Sequence, residues 1–386
     1  MAETLSNRKI RLGMVGGGQG SLIGDAHRIA ARLDDEYDFC AGALSSDPER
    51  AMASAREIGL PLDRSYGSYA EMASSEAARK DGIDVVAIVT PNNTHHEIAK
   101  AFLAAGIHVI CDKPMTVTIE EAESLQDAAR SAGRILAVTY NYTGYAMVRE
   151  ARAMIERGDL GTIRIVQVQY AQDWLTEPIE LGGQKQAAWR TDPAQSGVGG
   201  TITDIGTHAY HLACFVSGLK LEALCADLTT FVDGRRLDDN AHLLLRFAGG
   251  AKGMLWASQV AVGNENDVRL GIYGDKGGIT WQQEQPNEIS YMLFGKPRQR
   301  ITRGGPSGHP ASSTSIIRMP NGHPEGYLEG FATIYNQVAT AIRAASDGKV
   351  LEANVLFPTG DDGKSGVAFV DAAVRSSEAG GIWVEL

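Results

Sequence analysis

An α/β protein of two domains is the architecture this sequence predicts: a doubly wound parallel sheet over residues 1–140, then an α/β domain with a large, mostly antiparallel open sheet over residues 141–386. Three observations lead there. At 386 residues the chain exceeds what one core usually holds, and 44% hydrophobic residues suffice to fill two. From Ile10 to about Tyr140 short apolar runs alternate with helical segments. Beyond Tyr140 the runs take on a period of two.

In the first half the strands are IRLGMV, FCAGAL, VVAIV, HVIC and ILAV, with helices after the first glycine-rich loop and from Pro48, Thr94 and Ile119. Apolar runs with little internal alternation, separated by helices, are the pattern of parallel βαβ units buried on both faces. An amphipathic helix over 145–157 opens the second half. TIRIVQVQY, HLLLRF, GMLWASQ, VRLGIYG and GITWQ then read as strands with one covered face, and AGGAKG and GDKGG as tight hairpin turns. A helix from Thr203 to about Val216 interrupts them. Residues 297–324, rich in Gly, Pro, Ser and Arg, read as a long loop of the kind that is usually functional or mobile. The helix GYLEGFATIYNQVATAIRAA, a last helix near 363–377 and the short strand GIWVEL complete the chain.

The formal charge of -11, a pI near 5.4 and the lack of any Lys/Arg cluster argue against a nucleic-acid or anionic-membrane partner. A small molecule is the expected partner. The polar start MAETLSNRKI has no apolar signal core, and no stretch approaches the roughly 20 apolar residues of a spanning helix, so the expected location is the cytoplasm. Cys40, Cys111, Cys214 and Cys225 form no CxxC pair and read as reduced, buried thiols; no metal site is expected.

The loop GGGQGSLIGDAH follows the first strand. Gly16, Gly18 and Gly24, with Gln19 between them, would let backbone approach a pyrophosphate at a helix amino terminus. Its place at the start of a βαβ unit is the context the motif needs, and makes this a Rossmann-type domain; a glycine turn without a ligand is the other reading. After the second strand, LSSDPER puts Ser45 and Ser46 where NAD-specific folds carry an acid. Asp47 comes slightly late and Arg50 lies in the next helix, so the cofactor is NAD(H) or NADP(H), with the choice open. In TPNNTHH, Thr90, Pro91 and Asn92 end a strand near the expected nicotinamide position, and Thr94 is a plausible N-cap. His95 is a further cofactor candidate, equally readable with His96 as a surface residue of the helix's first turn.

Asp112-Lys113-Pro114 ends an apolar run, at the sheet edge where open α/β folds bind ligands. Lys113 there could have its pKa depressed by burial and serve proton transfer or hydrogen bonding to a reacting oxygen; a simple ion pair is the alternative. Asp204 and His208 stand at i and i+4 and share a helix face beside an apolar stripe of Ile205, Ala209, Leu212 and Val216. Such a pair suits acid/base work near neutrality. A structural Asp–His bond, and a metal site recruiting His211 without a third well-spaced ligand, stand beside that reading.

With these residues in view, the chain resembles the glucose-fructose oxidoreductase/inositol dehydrogenase/rhizopine-catabolism (Gfo/Idh/MocA) family over nearly its whole length. The resemblance rests on the glycine loop ending in Gly24 and His27, the TPN segment, Asp112-Lys113-Pro114, residues 158–168, and the D-x-G-x-H of 204–208. It implies a pyranose or cyclitol oxidised at a secondary hydroxyl, and subunits packed as homodimers or homotetramers through the second domain's sheet. It also implies that Lys113 meets the reacting oxygen, His208 exchanges the proton, Asp204 orients substrate or histidine, and Asp112 borders the cofactor. QDW (172–174), AWR (188–190) and PAQSGVGG resemble levoglucosan dehydrogenase-type members, which adds Trp174 and Arg190 to the substrate candidates; Tyr142 and His323 complete that set.

Three departures stand out: three extra residues between Gly16 and His27, Asp112 in place of Glu, and Thr143 where many members have Arg. A retained-NAD enzyme cleaving or epimerising glycosides, and a non-catalytic sugar or dinucleotide sensor, are the competing readings.

Overall fold

A computed structural model describes Leu5, residues 8–304 and residues 316–386. The middle of the expected long loop, 305–315, lies outside the described residues. The chain first forms β1 (Ile10–Gly16), α1 (Leu22–Leu33), β2 (Tyr37–Ala43), α2 (Pro48–Glu57), α3 (Tyr69–Ala78), β3 (Val85–Val89), α4 (His95–Ala104), β4 (His108–Cys111), α5 (Ile119–Ala132) and β5 (Leu136–Val138). Side-chain caps start several of these helices: Ser21, Asp47, Ser68 and Thr118 each accept a backbone N–H three residues on.

There follow α6 (Ala146–Glu156), β6 (Ile163–Ala171), α7 (Lys185–Arg190), α8 (Pro193–Ser196), a π-turn (Ile202–Gly206), α9 (Thr207–Ser217), β7 (Leu221–Thr229), β8 (Asn240–Phe247), β9 (Lys252–Ser258), β10 (Asp267–Gly274), β11 (Gly277–Gln282), β12 (Glu288–Leu293) and β13 (Gln299–Thr302). The chain ends with α10 (Tyr327–Ser346), α11 (Gly360–Glu378) and β14 (Val384–Glu385). No helix among the described residues is long and apolar enough to cross a membrane.

Two compact units result: residues 1–141 with 328–364, and residues 142–327 with 365–386. In the first, five parallel strands lie in the order β2-β1-β3-β4-β5, so the winding reverses between β1 and β3. Ligands bind at such a switch point, outside the strands' carboxyl ends. The sequence division placed all of 141–386 in the second domain, and the structure corrects it. Phe331, Ile334, Tyr335, Val338 and Ile342 of α10 join Ile10, Leu12, Val85 and Ile110 in one core. A parallel sheet needs both faces covered, and α10 supplies part of that cover.

Among the described residues the second unit carries nine strands, ordered β13-β12-β11-β10-β6-β9-β8-β7-β14, of which only β6 and β9 pair in parallel. The period of two is visible in β8: Ala241, Leu243, Leu245 and Phe247 are buried, while His242, Leu244 and Arg246 are exposed. The buried face packs on Val148 and Met154 of α6, Leu212 and Val216 of α9, and Phe369 of α11.

Candidate functional site

In the first unit the glycine loop is built for close approach. Gly16 has φ +79°, and a Cβ there would meet Thr90 Cγ2 at 2.7 Å, across the switch point. A Cβ on Gly18 would meet the Leu44 carbonyl at 2.6 Å, and one on Gly24 would fall 2.5 Å from Gly17 Cα. Gly18 and Gly24 thus let the loop settle onto the end of β2 and the start of α1. Gln19 and Gly20 are exposed at the tip, and Ser21 caps α1 by accepting from Gly24 N–H. A helix amino terminus beneath a glycine loop that side chains would block fits a dinucleotide pyrophosphate.

Near the end of β2, Asp47 caps α2 through Arg50 N–H (2.9 Å), Ser45 Oγ accepts from Asp47 N–H (3.2 Å), and Ser46 is exposed. The Arg50 guanidinium donates to the Gln19 carbonyl (2.9 Å), tying the second helix to the loop. His27 lies wholly inside. Its Nδ1 pairs with the Tyr335 hydroxyl at 2.8 Å, and burial pushes its pKa down to about 4, so it supports the loop from below as a neutral ring.

At the end of β3, Thr94 does not cap α4; its hydroxyl turns back to the Pro91 carbonyl and Thr90 Oγ1, both at 2.7 Å, around a short 3₁₀ turn (Asn92–Thr94). Asn92 is buried. The structure also corrects the surface reading of His95: it is fully buried, with ring nitrogens 2.8 Å from the Thr90 and Pro114 carbonyls. His96 is only partly buried, between Glu97 and Ser124. Asp112 Oδ1 accepts from Lys113 N–H (3.0 Å) and from the Thr139 hydroxyl (2.6 Å), which fixes the start of the Lys113-Pro114 turn; that peptide bond is cis.

The second unit gathers another set. Asp204 lies in the π-turn, where Thr207 N–H reaches back to the Ile202 carbonyl, five residues away, so the single α-helix expected from Thr203 is interrupted. Asp204 Oδ2 accepts from Arg190 Nε (3.2 Å) and from Gln259 Nε2 (2.9 Å). Arg190 stacks over Trp189 at 4.2 Å and stands 6.0 Å from the Trp174 ring. Gln259 also bonds Thr201 and Gln172, and Gln172 bonds Trp174 Nε1 and Asn266. Asn266 in turn meets Tyr170 and Tyr142, whose hydroxyls are 2.6 Å apart. The His208 ring stands edge-on to Tyr142, with centroids 5.1 Å apart, and is nine-tenths buried. Burial pushes both phenols well above the usual tyrosine range, so they stay protonated.

Tyr142, Trp174, Arg190, Asp204 and His208 are therefore members of one continuous set of contacts. His323 is not among the contacts described for that set; its side chain is exposed and its backbone carbonyl accepts from Arg303. His211 stacks near Phe215. Gln259, Asn266 and Tyr170 escaped attention in the sequence, and Gln172 was read only within QDW and not as a site residue, because neutral amides and a strand tyrosine carry no chemistry of their own. Their signal is positional: Ala171 pairs with Ser258 where the parallel strands β6 and β9 end, and Gln172 and Gln259 are the next residues. Two cysteines are buried as expected, but Cys214 and Cys225 are only half-buried.

A parallel sheet with a glycine cradle at its switch point and a lysine turn at the end of β4 is the architecture of a dinucleotide-dependent oxidoreductase; the second unit, taken by itself, holds an Asp–Arg–amide cluster. Residues 10–140 match the model of the oxidoreductase family with an NAD-binding Rossmann fold, and residues 148–280 match the GFO/IDH/MocA C-terminal domain. The chain belongs to the GFO/IDH/MocA family. An oxidoreductase from Sinorhizobium meliloti of known structure is 53% identical, with 98% of this chain and 99% of that one covered, at a TM-score of 0.89. An inositol dehydrogenase homolog from Azotobacter vinelandii, solved with NADH and myo-inositol, is 35% identical over 100% of both chains, at a TM-score of 0.93. Levoglucosan dehydrogenase of Pseudarthrobacter phenanthrenivorans is 28% identical over 98% of each chain.

Proposed function

We propose that this chain is an NAD(P)-dependent dehydrogenase that oxidises a secondary hydroxyl of a cyclitol or pyranose-type sugar, or reduces the matching ketone. One observation carries the reading: the carboxylate–guanidinium pair Asp204–Arg190 is joined to neutral amides, phenols and indoles. Such a lining offers many hydrogen bonds, an aromatic face and little net charge, which suits an uncharged polyol ring. The inositol dehydrogenase homolog and levoglucosan dehydrogenase, both aligned over the full chain, support the same substrate class.

The bound nicotinamide supplies the hydride acceptor or donor. Gly16, Gly18, Gln19, Gly24, Ser45, Ser46, Arg50, Thr90, Pro91 and Asn92 would hold the dinucleotide. Lys113 donates a hydrogen bond to the reacting oxygen, and His208 takes its proton in oxidation and returns it in reduction. Asp204, held by Arg190 and Gln259, accepts from substrate hydroxyls, and Trp174 offers its ring face.

The first test follows reduced-nicotinamide absorbance with NAD and then NADP against inositols, pyranoses, anhydrosugars and glycosides. Net reduction with one class is expected. Turnover of glycosides without net reduction, or cofactor binding without any turnover, would overturn the reading.

We further propose that copies associate through the outer face of the nine-stranded sheet. Ile165, Leu244 and Met254 are about half exposed there, beside the Trp256–His242 stack and a concavity of about 1060 Å³. Like faces can pair about a two-fold axis. Leu244→Glu should then lower the mass measured by light scattering, and an unchanged mass would remove the idea. The four cysteines, none of them in a disulfide, suit the cytoplasm.

A further inference from the structure

We infer that His95 is a positioning residue for Lys113: its ring stitches the loop after β3 to the cis turn that carries the lysine. The two ring nitrogens lie 2.8 Å from the Thr90 carbonyl on one side and the Pro114 carbonyl on the other, and the side chain is completely buried. Thr90 opens the TPN segment and Pro114 directly follows Lys113. The ring is thus a rigid spacer between two loops that have no strand pairing with each other beyond β3 and β4, which end at Val89 and Cys111.

A neutral imidazole supplies one N–H and a protonated one two, so in either form at least one side of the stitch is a hydrogen bond. The second hold on the turn comes from its amino-terminal side, where Asp112 accepts from Lys113 N–H and from Thr139. With Asp112 before the lysine and His95 gripping the residue after it, the backbone at Lys113 is fixed from both ends. The Lys113 ammonium therefore starts from a Cα whose place is set by two side chains that need not touch the substrate. The Thr90 side of the stitch simultaneously fixes the backbone of the segment expected beside the nicotinamide.

The inference rests on the reading of Lys113 as the group that meets the reacting oxygen, and the experiment separates the two. His95→Phe keeps a flat buried ring and removes both ring nitrogens; His95→Gln keeps a side-chain N–H donor and serves if the phenylalanine variant folds poorly. Dinucleotide affinity, kcat and KM are measured for each, together with the acylation rate of every lysine amine by peptide mass spectrometry. For His95→Phe, kcat should fall by about 100-fold, the scale of a displacement near 1 Å, with KM and dinucleotide affinity within about 3-fold of wild type. His95→Gln should fall between. The acylation rate at Lys113 should change while other lysines keep theirs, and in a Lys113→Ala background His95→Phe should cost nothing further.

A lower melting temperature with unaltered kcat per folded enzyme and unaltered Lys113 acylation would overturn the inference, leaving His95 as ordinary core. If wild type oxidises no polyol, the dehydrogenase reading fails, and the acylation comparison still decides whether His95 positions Lys113.

Discussion

In the first unit backbone places the candidate groups, whereas in the second side chains place one another. Gly16, Thr90 and Lys113 stand at or just beyond the carboxyl ends of β1, β3 and β4, three adjacent parallel strands whose register brings them to one sheet edge, with His95 and Asp112 holding only the last turn at Lys113. Asp204, Arg190, Gln172, Gln259 and Asn266 come from four separate stretches and meet only through a chain of hydrogen bonds. Backbone placement tolerates change in neighbouring side chains and suits a task shared by many relatives, the holding of a dinucleotide. A side-chain network is retuned by single substitutions and suits the part that differs among relatives, the choice of substrate.

The largest expected effect comes from removing the chemistry itself. Lys113→Ala and His208→Ala should each lower kcat/KM by about 10³-fold, the usual worth of a positioned acid or base. Dinucleotide titration should show the Lys113 variant still binding cofactor, because the glycine cradle is backbone. Near wild-type turnover in both variants would break the assignment of roles.

The same contrast explains what could be read in the sequence. Parallel strands announce themselves as apolar runs, and a motif at their ends, such as GGGQGSLIG or DKP, needs no partner elsewhere in the chain to be recognised. The strand β13 inside the expected long loop gave no such signal, because its residues are exposed or half-buried and show no apolar alternation. The helix α10 was recognised as a helix but assigned to the wrong domain, since a periodic stripe shows that a helix packs and not what it packs on. Asp204 and His208 were found from their spacing, yet the π-turn that holds Asp204 carried no signal beyond Gly206, whose missing Cβ leaves room for Ile202 Cδ1 one turn back, 2.8 Å from where that Cβ would lie. Gln259 was missed because an amide has no chemistry until its neighbours are known.

A second effect separates the units by their response to acid. In the first, burial pushes His27 and His108 down to about 4, and His108 Nδ1 accepts from Ile135 N–H, which requires a neutral ring. The unfolded chain takes up protons on both below pH 6.5 while the native chain does not. Stability therefore falls between pH 6.5 and 4, by roughly 3 kcal/mol for each ring. In the second, Asp238 is pushed up to about 6 by desolvation, although it accepts from Gly200 and Ile202 N–H. Its native state holds a proton that the unfolded chain releases, so its contribution rises as pH falls from 6 toward 4. Amide hydrogen exchange should lose protection in β1–β5 before β6–β11 as pH drops from 7 to 4.5. His27→Phe should reduce that acid sensitivity; equal loss in both units would remove the distinction.

The next effect is smaller and concerns the guanidinium. Arg190→Met keeps much of the side chain over Trp189 but removes the guanidinium that donates to Asp204 Oδ2. Losing a hydrogen bond to a charged group costs about 2 kcal/mol, so kcat/KM should fall roughly 30-fold, mainly in KM, with dinucleotide affinity unchanged. An equal fall in dinucleotide affinity would show that the network is not confined to the substrate side.

The smallest expected effect gives the sharpest view of the network. Gln259→Leu removes the amide that joins Asp204, Gln172 and Thr201: Thr201 loses this acceptor, while Asp204 Oδ2 and Gln172 Oε1 each lose one donor and keep Arg190 and Trp174. Each neutral bond is worth about 1 kcal/mol, and a pocket open to substrate lets water or a hydroxyl replace part of the loss, so kcat/KM should fall about 10-fold. If Arg190 and Gln259 act through the same carboxylate, the double variant should lose less than the product of the two single losses, with a coupling of about 1 kcal/mol. Additive losses would mean that Asp204 is held by each neighbour independently, as residues on a backbone scaffold are. The second unit would then resemble the first in its mode of placement, and substrate choice would have to be sought in side chains other than this amide chain.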